Sequence, residues 1–330
     1  MKSLPILWWA FFIYNMEKGL VIRSTGAFYT VQLEAGNFIE CRMIGKFRLN
    51  GMKLTNPVAV GDQVMIELEE DDQKGLIKKI LPRRNYVVRQ SPRKKHFLHL
   101  IASNIDQAIL IVSIQQPSLK WGFIDRVLLM TEPHNIPAII LVNKSDLLNA
   151  ADLETFEYLK VVYENIGYKV HLVSAINGDG LEEVKNLLKD KTSLICGQSG
   201  VGKSTLVNSI EKNIELKTGE ISDSTGKGMH TTTFAEMFEL SFGGQIIDTP
   251  GIKTLSFNNL TGQDVAHNFK EFFILSADCK FGDCTHRNEP HCAVKTALEN
   301  GEIAETRYSN YLSILQGIED QNSWELHKDM

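Results

Sequence analysis

Long apolar runs are nearly missing from these 330 residues. The one exception, Leu4 to Tyr14 (LPILWWAFFIY), is shorter than the about 20 apolar residues needed to cross a bilayer. Behind it stand Asn15, Met16, Glu17 and Lys18, without the small-residue cleavage site of a secretory signal. No membrane role is expected. Ordered-looking sequence starts directly after Met16, so translation is expected to begin there, with residues 1–15 an apolar extension. Cysteine is scarce as well. Of five, three fall between Cys279 and Cys292 with His286 among them, which argues against a disulfide framework and for a metal cluster in a reducing compartment, the cytoplasm. Repeats and low-complexity tracts are lacking, and 43% hydrophobic with 23% charged residues is the balance of an ordinary globular chain. The length implies two or three domains.

One stretch lacks acids altogether. Five acids fill Glu67 to Asp72, and then Lys74 to His99 carries Lys74, Lys78, Lys79, Arg83, Arg84, Arg89, Arg93, Lys94 and Lys95 with no carboxylate, inside a chain of net charge -5. Such a block reads as a surface for phosphate backbones or as a solvated linker.

Between Gly19 and Pro82 the short β-prone runs GLVIRS, FYTVQLE, NFIECRMI, DQVMIELE and GLIKKILP are separated by turn residues. Five such strands suggest an OB-type β-barrel over 16–85, the alternative being an irregular small β-domain. A basic linker is expected over 86–103. Beyond it, QAILIVSI, PAIILV, YKVHLVSA and TSLIC are apolar at successive positions, as in parallel strands buried on both faces. Helices are expected near Phe123–Glu132, Leu153–Ile166 and Gly180–Leu188, and TTTFAEMFEL and GGQIIDTPG add two more strands. The result is a doubly wound α/β domain over 104–268, followed by a cysteine-rich, mostly helical segment over 269–330.

Gly197-Gln198-Ser199-Gly200-Val201-Gly202-Lys203-Ser204, continued by Thr205, stands between a strand and a helix. Its glycines let the backbone wrap a polyphosphate at the positive end of the helix, with Lys203 on the β- and γ-phosphates and the Ser204 hydroxyl on Mg²⁺. Asp248 in Asp248-Thr249-Pro250-Gly251 ends an apolar strand where a carboxylate can hold the Mg²⁺ shell, and Gly251 can offer its amide to the γ-phosphate. Between them, Gly228-Met229-His230-Thr231-Thr232-Thr233 has hydroxyls that can close onto Mg²⁺; Thr232 is favoured, with Thr231 the rival. In Asn143-Lys144-Ser145-Asp146 the carboxylate can accept from guanine N1 and N2, donors that adenine lacks. Asn143 would brace that loop, Lys144 would lie against the base, and a backbone amide at Ser174-Ala175 can serve the guanine O6. The motifs describe a GTP site and conflict with an ATPase.

Their order is rotated. The usual chain runs phosphate loop, switch threonine, Asp-x-x-Gly, Asn-Lys-x-Asp, Ser-Ala; here the last two come first. Termini of compact domains lie near one another, so one sheet can be built from a circularly permuted chain. The segment after Gly251 then leads directly into the C-terminal part. There Cys279-x4-Cys284-x-His286-x5-Cys292 offers three thiolates and an imidazole, a standard closed set for one structural Zn²⁺; His291 is a rival ligand, disfavoured because it adjoins Cys292. Cys41 and Cys196 read as core.

A barrel, a permuted GTPase with Gly-x-His-Thr-Thr and this cysteine pattern together resemble the bacterial ribosome small-subunit-dependent GTPase A (RsgA) family from Met16 onward. The resemblance implies a monomer that binds GTP and GDP, contacts ribosomal RNA and acts on the small ribosomal subunit late in its maturation. Slow intrinsic hydrolysis, stimulated by the subunit, goes with it. Where many GTPases place a water-orienting Gln after Asp-x-x-Gly, this chain has Ile252, and His230 is the candidate catalytic group, with a structural hinge as its other reading. A non-catalytic, GTP-dependent RNA-binding scaffold or translation regulator is the competing expectation.

Overall fold

The computed structural model describes residues 16–43, 54–69, 74–90, 97–214, 216, 235–249, 257 and 260–326. The extension over 1–15, Arg93 to Lys95, His230, Thr231, Thr232, Gly251 and Ile252 lie outside these residues.

Strands β1 (Met16–Ser24), β2 (Tyr29–Leu33), β3 (Phe38–Met43), β4 (Gln63–Leu68) and β5 (Lys74–Ile80) close a five-stranded barrel, because β1 pairs with both β2 and β4, and β3 runs parallel to β5. The two-residue period of a strand sends Tyr29, Val31, Leu33, Ile39, Cys41, Val64, Ile66 and Ile77 inward. Closure needs small residues at the corners: a Cβ on Gly19 would stand 2.3 Å from Val31 Cγ1.

The segment expected as a linker is a β-ribbon, β6 (Tyr86–Gln90) with β7 (Leu98–Ser103). It is fastened to the barrel. Asn56 exchanges hydrogen bonds with both the N–H and the carbonyl of Leu100, at 3.0 Å each, copying a strand partner. Arg83 holds Asp62 in a two-pronged pair, both side chains nearly or fully buried, and Ser103 donates to the same carboxylate at 2.6 Å. Arg83 therefore cannot meet an RNA phosphate. Arg84 pairs with Asp106 and Lys78 with Glu67, so the acid-free stretch is partly neutralised by carboxylates elsewhere in the chain.

The central domain is the expected doubly wound sheet. Strands β8 (Gln107–Ser113), β9 (Ala138–Asn143), β10 (Lys169–Leu172), β11 (Thr192–Gly197), β12 (Ala235–Glu239) and β13 (Gln245–Asp248) lie in the order β10-β9-β8-β11-β13-β12, parallel except for β12. Every residue of β8 and β9 is buried, as two covered faces require. Helices α1 (Trp121–Thr131), α2 (Ala150–Glu164), α3 (Leu181–Leu188) and α4 (Lys203–Ile210) link the strands. An Asn149–Asp152 capping box starts α2.

The sheet does not stop at the domain boundary. Edge strand β12 pairs with barrel strand β1 (Arg23↔Glu236, Ser24↔Ala235), and Gln32 donates to Glu239 at 3.1 Å. Eleven strands are thereby hydrogen-bonded in series, and an edge otherwise left open is covered.

The C-terminal part holds α5 (Gly262–Asn268), α6 (Lys270–Ser276), α7 (Ala293–Glu299) and α8 (Glu305–Leu326). It packs on α1 around a fully buried Arg307. The guanidinium meets Asp125 of α1, grips Glu271 of α6 through two hydrogen bonds of 2.7 and 2.9 Å, and stacks on Phe269 at 4.3 Å from the ring centre. Asp125 also accepts from Tyr163 and Asn310, so no charge in the cluster lacks a partner. Burial lowers the pKa of Arg307, but the two carboxylates more than offset this, and it stays well above the ordinary value.

A nucleotide pocket and a cysteine–histidine cluster

Strand β11 ends at Gly197 and α4 begins at Lys203, with a tight loop between them. A side chain is excluded at both ends. A Cβ on Gly197 would stand 2.5 Å from the Ile111 carbonyl, and one on Gly202 would stand 2.4 Å from Asn143 Nδ2. Gly200 and Gly202 also adopt φ of 85° and 89°, the left-handed region glycine tolerates. Lys203 folds back over the loop and donates to the carbonyls of Gly197 and Gln198 at 2.9 and 2.7 Å. Burial lowers its ammonium pKa, opposed by Asp248 and Cys196. Asp248 sits at the end of β13, buried, opposite Ile195 of β11.

Asn143 ties two loops together. Its Nδ2 donates to the Val201 carbonyl in the phosphate loop at 2.9 Å, and its Oδ1 accepts from the Ala175 N–H at 3.1 Å. The amide expected for the guanine O6 is thus engaged by Asn143 in this state. The Ser174 hydroxyl donates to Asp146 and accepts from the Asn177 N–H, which fixes the carboxylate beside the Ser-Ala loop. The Ser209 hydroxyl of α4 stands 2.9 Å from the Ala175 carbonyl and 2.7 Å from the Thr205 carbonyl, and its single proton serves one or the other, so the phosphate helix meets the base loop a second time. Lys144, at φ 69°, donates to the Gln116 carbonyl, and burial lowers its pKa against the opposing pull of Asp146. Gln116 and Ser209 had no motif to reveal them. Of the residues read from the sequence, Asn143, Lys144, Asp146, Ser174, Ala175, the run Gly197 to Thr205, and Asp248 gather at the C-terminal ends of β9, β10, β11 and β13, where ligands of open α/β sheets bind.

The second cluster lies beside α7. Cys279, Cys284, His286 and Cys292 place their ligand atoms within 4.8 Å of one another, three of the four side chains being buried. His286 Nδ1 stands 3.7 Å from Cys279 Sγ and 3.4 Å from Cys292 Sγ. A tetrahedron with metal–sulfur arms of about 2.3 Å and a metal–nitrogen arm of about 2.0 Å has edges of about 3.5–3.8 Å, so the donor set fits one metal ion. His291 is not part of it. Glu289 clamps the loop, accepting from Thr285 and from the amides of Arg287 and Asn288, while Tyr308 and Tyr311 donate to the carbonyls of His286 and Thr285. Burial alone would raise the Glu289 carboxyl, yet the Thr285 hydroxyl and the backbone amides hold it at about 2.

The sequence model of the RsgA GTPase family matches residues 80–258, and that of the RsgA N-terminal domain matches residues 18–77. The chain belongs to the RsgA GTPase family. It is thus a GTP-hydrolysing enzyme. The small ribosomal subunit biogenesis GTPase RsgA of Flavobacterium johnsoniae is 49% identical over 304 residues, covering 92% of this chain and 94% of its own length. The same-named protein of Flavobacterium psychrophilum is 46% identical over 313 residues, covering 94% and 96%. Among solved structures, YjeQ from Thermotoga maritima is similar with a TM-score of 0.73 at 34% identity, covering 92% of this chain and 98% of that one. YloQ, described as a circularly permuted GTPase, gives 0.68 at 31%, covering 93% and 96%. The rotated motif order is accordingly a property that this RsgA family member shares with a solved structure. No helix among the described residues is long and apolar enough to cross a membrane.

Proposed function

We propose that this RsgA family GTPase assists late maturation of the small ribosomal subunit in the cytoplasm, hydrolysing GTP slowly alone and faster on the subunit. The observation that carries the reading is the unbroken sheet: one set of backbone hydrogen bonds runs from the β-barrel through β12 to β13, which ends in Asp248. In this reading the barrel grips RNA, and the shared sheet links it to the nucleotide site. The name that the curated relatives share supplies the subunit.

In this reading Lys203 leaves the loop carbonyls for the β- and γ-phosphates, and the amides of residues 198–205 line the polyphosphate. Ser204, Asp248 and Thr232 would hold Mg²⁺, which would supply positive charge against the polyphosphate. Gly251 offers its amide to the γ-phosphate, and His230 orients the attacking water in place of the missing Gln; both act as the β–γ bond breaks and inorganic phosphate departs. Asp146 reads the guanine edge. Cys279, Cys284, His286 and Cys292 would hold one zinc ion, which would supply a structural cross-link. Ribosomal RNA is met by the acid-free basic stretch, foremost the run Arg93 to Lys95.

The test is co-sedimentation with purified small subunits as salt is raised, in GTP-analogue and GDP states. Binding should fall linearly in log–log form with salt and be tighter with the GTP analogue. Equal binding in both states, or none to the small subunit, would reject the reading.

A further inference from the structure

Helix α2 is apolar on two sides. Phe156, Leu159, Val162 and Tyr163 enter the core, yet Leu153, Tyr158 and Val161 stand 45%, 46% and 54% exposed on the outer face. Residues four apart share a helix face, so Leu153, Glu157 and Val161 form one line, with Glu154 and Tyr158 beside it. Trp121 meets the Tyr158 ring edge-on at 5.6 Å, which fixes it there. One turn beyond Val161, Asn165 and Ile166 open onto a cleft of about 550 Å³ that Phe273 and Ile274 of α6 also line. Ile274 is 72% exposed, and His267 meets the Phe273 ring edge-on at 5.6 Å. Five of the ten large apolar side chains exposed among the described residues thus follow one path from α2 into the cleft. A single exposed apolar side chain needs no explanation, whereas a run of them beside a cleft marks an interaction surface.

The charge around the path selects the partner. Helix α2 carries Asp152, Glu154, Glu157 and Glu164 against one cation, Lys160. Asp152 serves the capping box, while Glu154, Glu157 and Glu164 pair with no cation among the described residues. Carboxylates interleaved with apolar side chains repel RNA phosphates. They suit a helix with an apolar stripe flanked by Lys and Arg, laid along α2 with one apolar side chain in the cleft.

We propose that the outer face of α2, with the cleft beside α6, docks a basic amphipathic segment of a protein of the small ribosomal subunit. This rests on the reading of the small subunit as partner, a particle whose RNA-binding proteins are rich in Lys and Arg. The chain then meets the two components of the subunit through separate surfaces, RNA through its basic stretch and protein through α2.

The experiment is co-sedimentation of the full chain with purified small subunits in the GTP-analogue state, for wild type, Val161→Asn, Ile274→Asn and the double reversal Glu154→Lys with Glu157→Lys. Each Asn variant should weaken binding about fivefold, because an amide is then buried against an apolar stripe. Affinity for GTP and the melting temperature of the free chain should not change, since half or more of each replaced side chain is already in water. The reversal carries the sharper test. The subunit is polyanionic, so lysines added to a free or RNA-facing surface would strengthen binding; against a seated basic segment they should weaken it about tenfold. A Val161→benzoylphenylalanine variant, irradiated on the subunit, should form a cross-link that survives ribonuclease. Stronger binding of the double reversal, a cross-link to RNA, or wild-type affinity in all variants would overturn the proposal and leave the subunit as partner. If the wild-type chain itself does not sediment with small subunits, the partner reading falls and takes the proposal with it.

Discussion

Replacing Arg307 by Ala should loosen the C-terminal part from the central domain, and the cost can be worked from the contacts. Arg307 is 3% exposed and Asp125 is fully buried. Truncation removes the guanidinium from both Asp125 and Glu271, leaving two carboxylates whose positive partner is gone, and it strips the stack on Phe269. Breaking a buried ion pair by deleting one partner costs about 3–5 kcal/mol. In a folded unit of about 150–250 residues each kcal/mol lowers Tm by about 2–4 °C, so a fall of roughly 6–20 °C is expected. Tyr163 and Asn310 still donate to Asp125, which places the result toward the lower half of that range. The assay is thermal and urea unfolding of the full chain, with limited proteolysis reporting whether α5 to α8 open first. A charge-free triple variant, Asp125→Asn with Glu271→Gln and Arg307→Met, should recover most of the loss, because volume is kept and no charge is stranded. If Arg307→Ala costs under about 1 kcal/mol, the cluster does not hold the two parts together and the reasoning fails.

Other outcomes follow from single contacts. Gly202→Ala places a Cβ on Asn143 Nδ2 at a φ of 89°, a strain of about 1–3 kcal/mol, and GTP affinity measured by titration should fall about ten- to a hundredfold. Elemental analysis should find one zinc per chain; stripping it with a chelator should expose residues 262–326 to protease while nucleotide binding persists, and a metal-free native protein would contradict the cluster. Glu289 has a folded pKa below its ordinary value, so its stabilisation is complete above about pH 4.5 and is lost as pH falls from there toward about 2. The Tm gap between wild type and Glu289→Gln should therefore be present at pH 6 and narrow steadily below pH 4.5; a gap independent of pH would remove Glu289 from the clamp.

Much of this was legible in the residues because local patterns carry it. Continuous apolar runs mark β8 and β9 as doubly covered, and Gly202 announces a left-handed position at the loop-to-helix junction. His286 was preferred over His291 by adjacency alone, and the fold gathers His286 with the three cysteines. What local pattern cannot carry is long-range pairing. Asp125 interrupts the apolar run of α1, but its partner Arg307 stands 182 positions away and nothing in the sequence joins them. The pairing of β1 with β12 likewise uses Arg23 and Ser24, the end of β1 beyond its pairing with β4, which no local pattern marks. The stretch over 86–103 reads as a solvated linker because its charge is conspicuous, whereas the pairing of β6 with β7 rests on Tyr86, Val87 and Val88 and on the grip of Asn56 and Asp62. Arg83 was counted as surface charge for the same reason.

The central claim, that GTP hydrolysis by this chain is governed by the small ribosomal subunit, is tested most directly by GTP turnover titrated with purified small subunits. The account predicts slow release of inorganic phosphate from the protein alone and a saturable acceleration as small subunits are added, absent with large subunits. Turnover that stays flat across the whole titration would contradict it and leave a GTPase whose partner lies elsewhere.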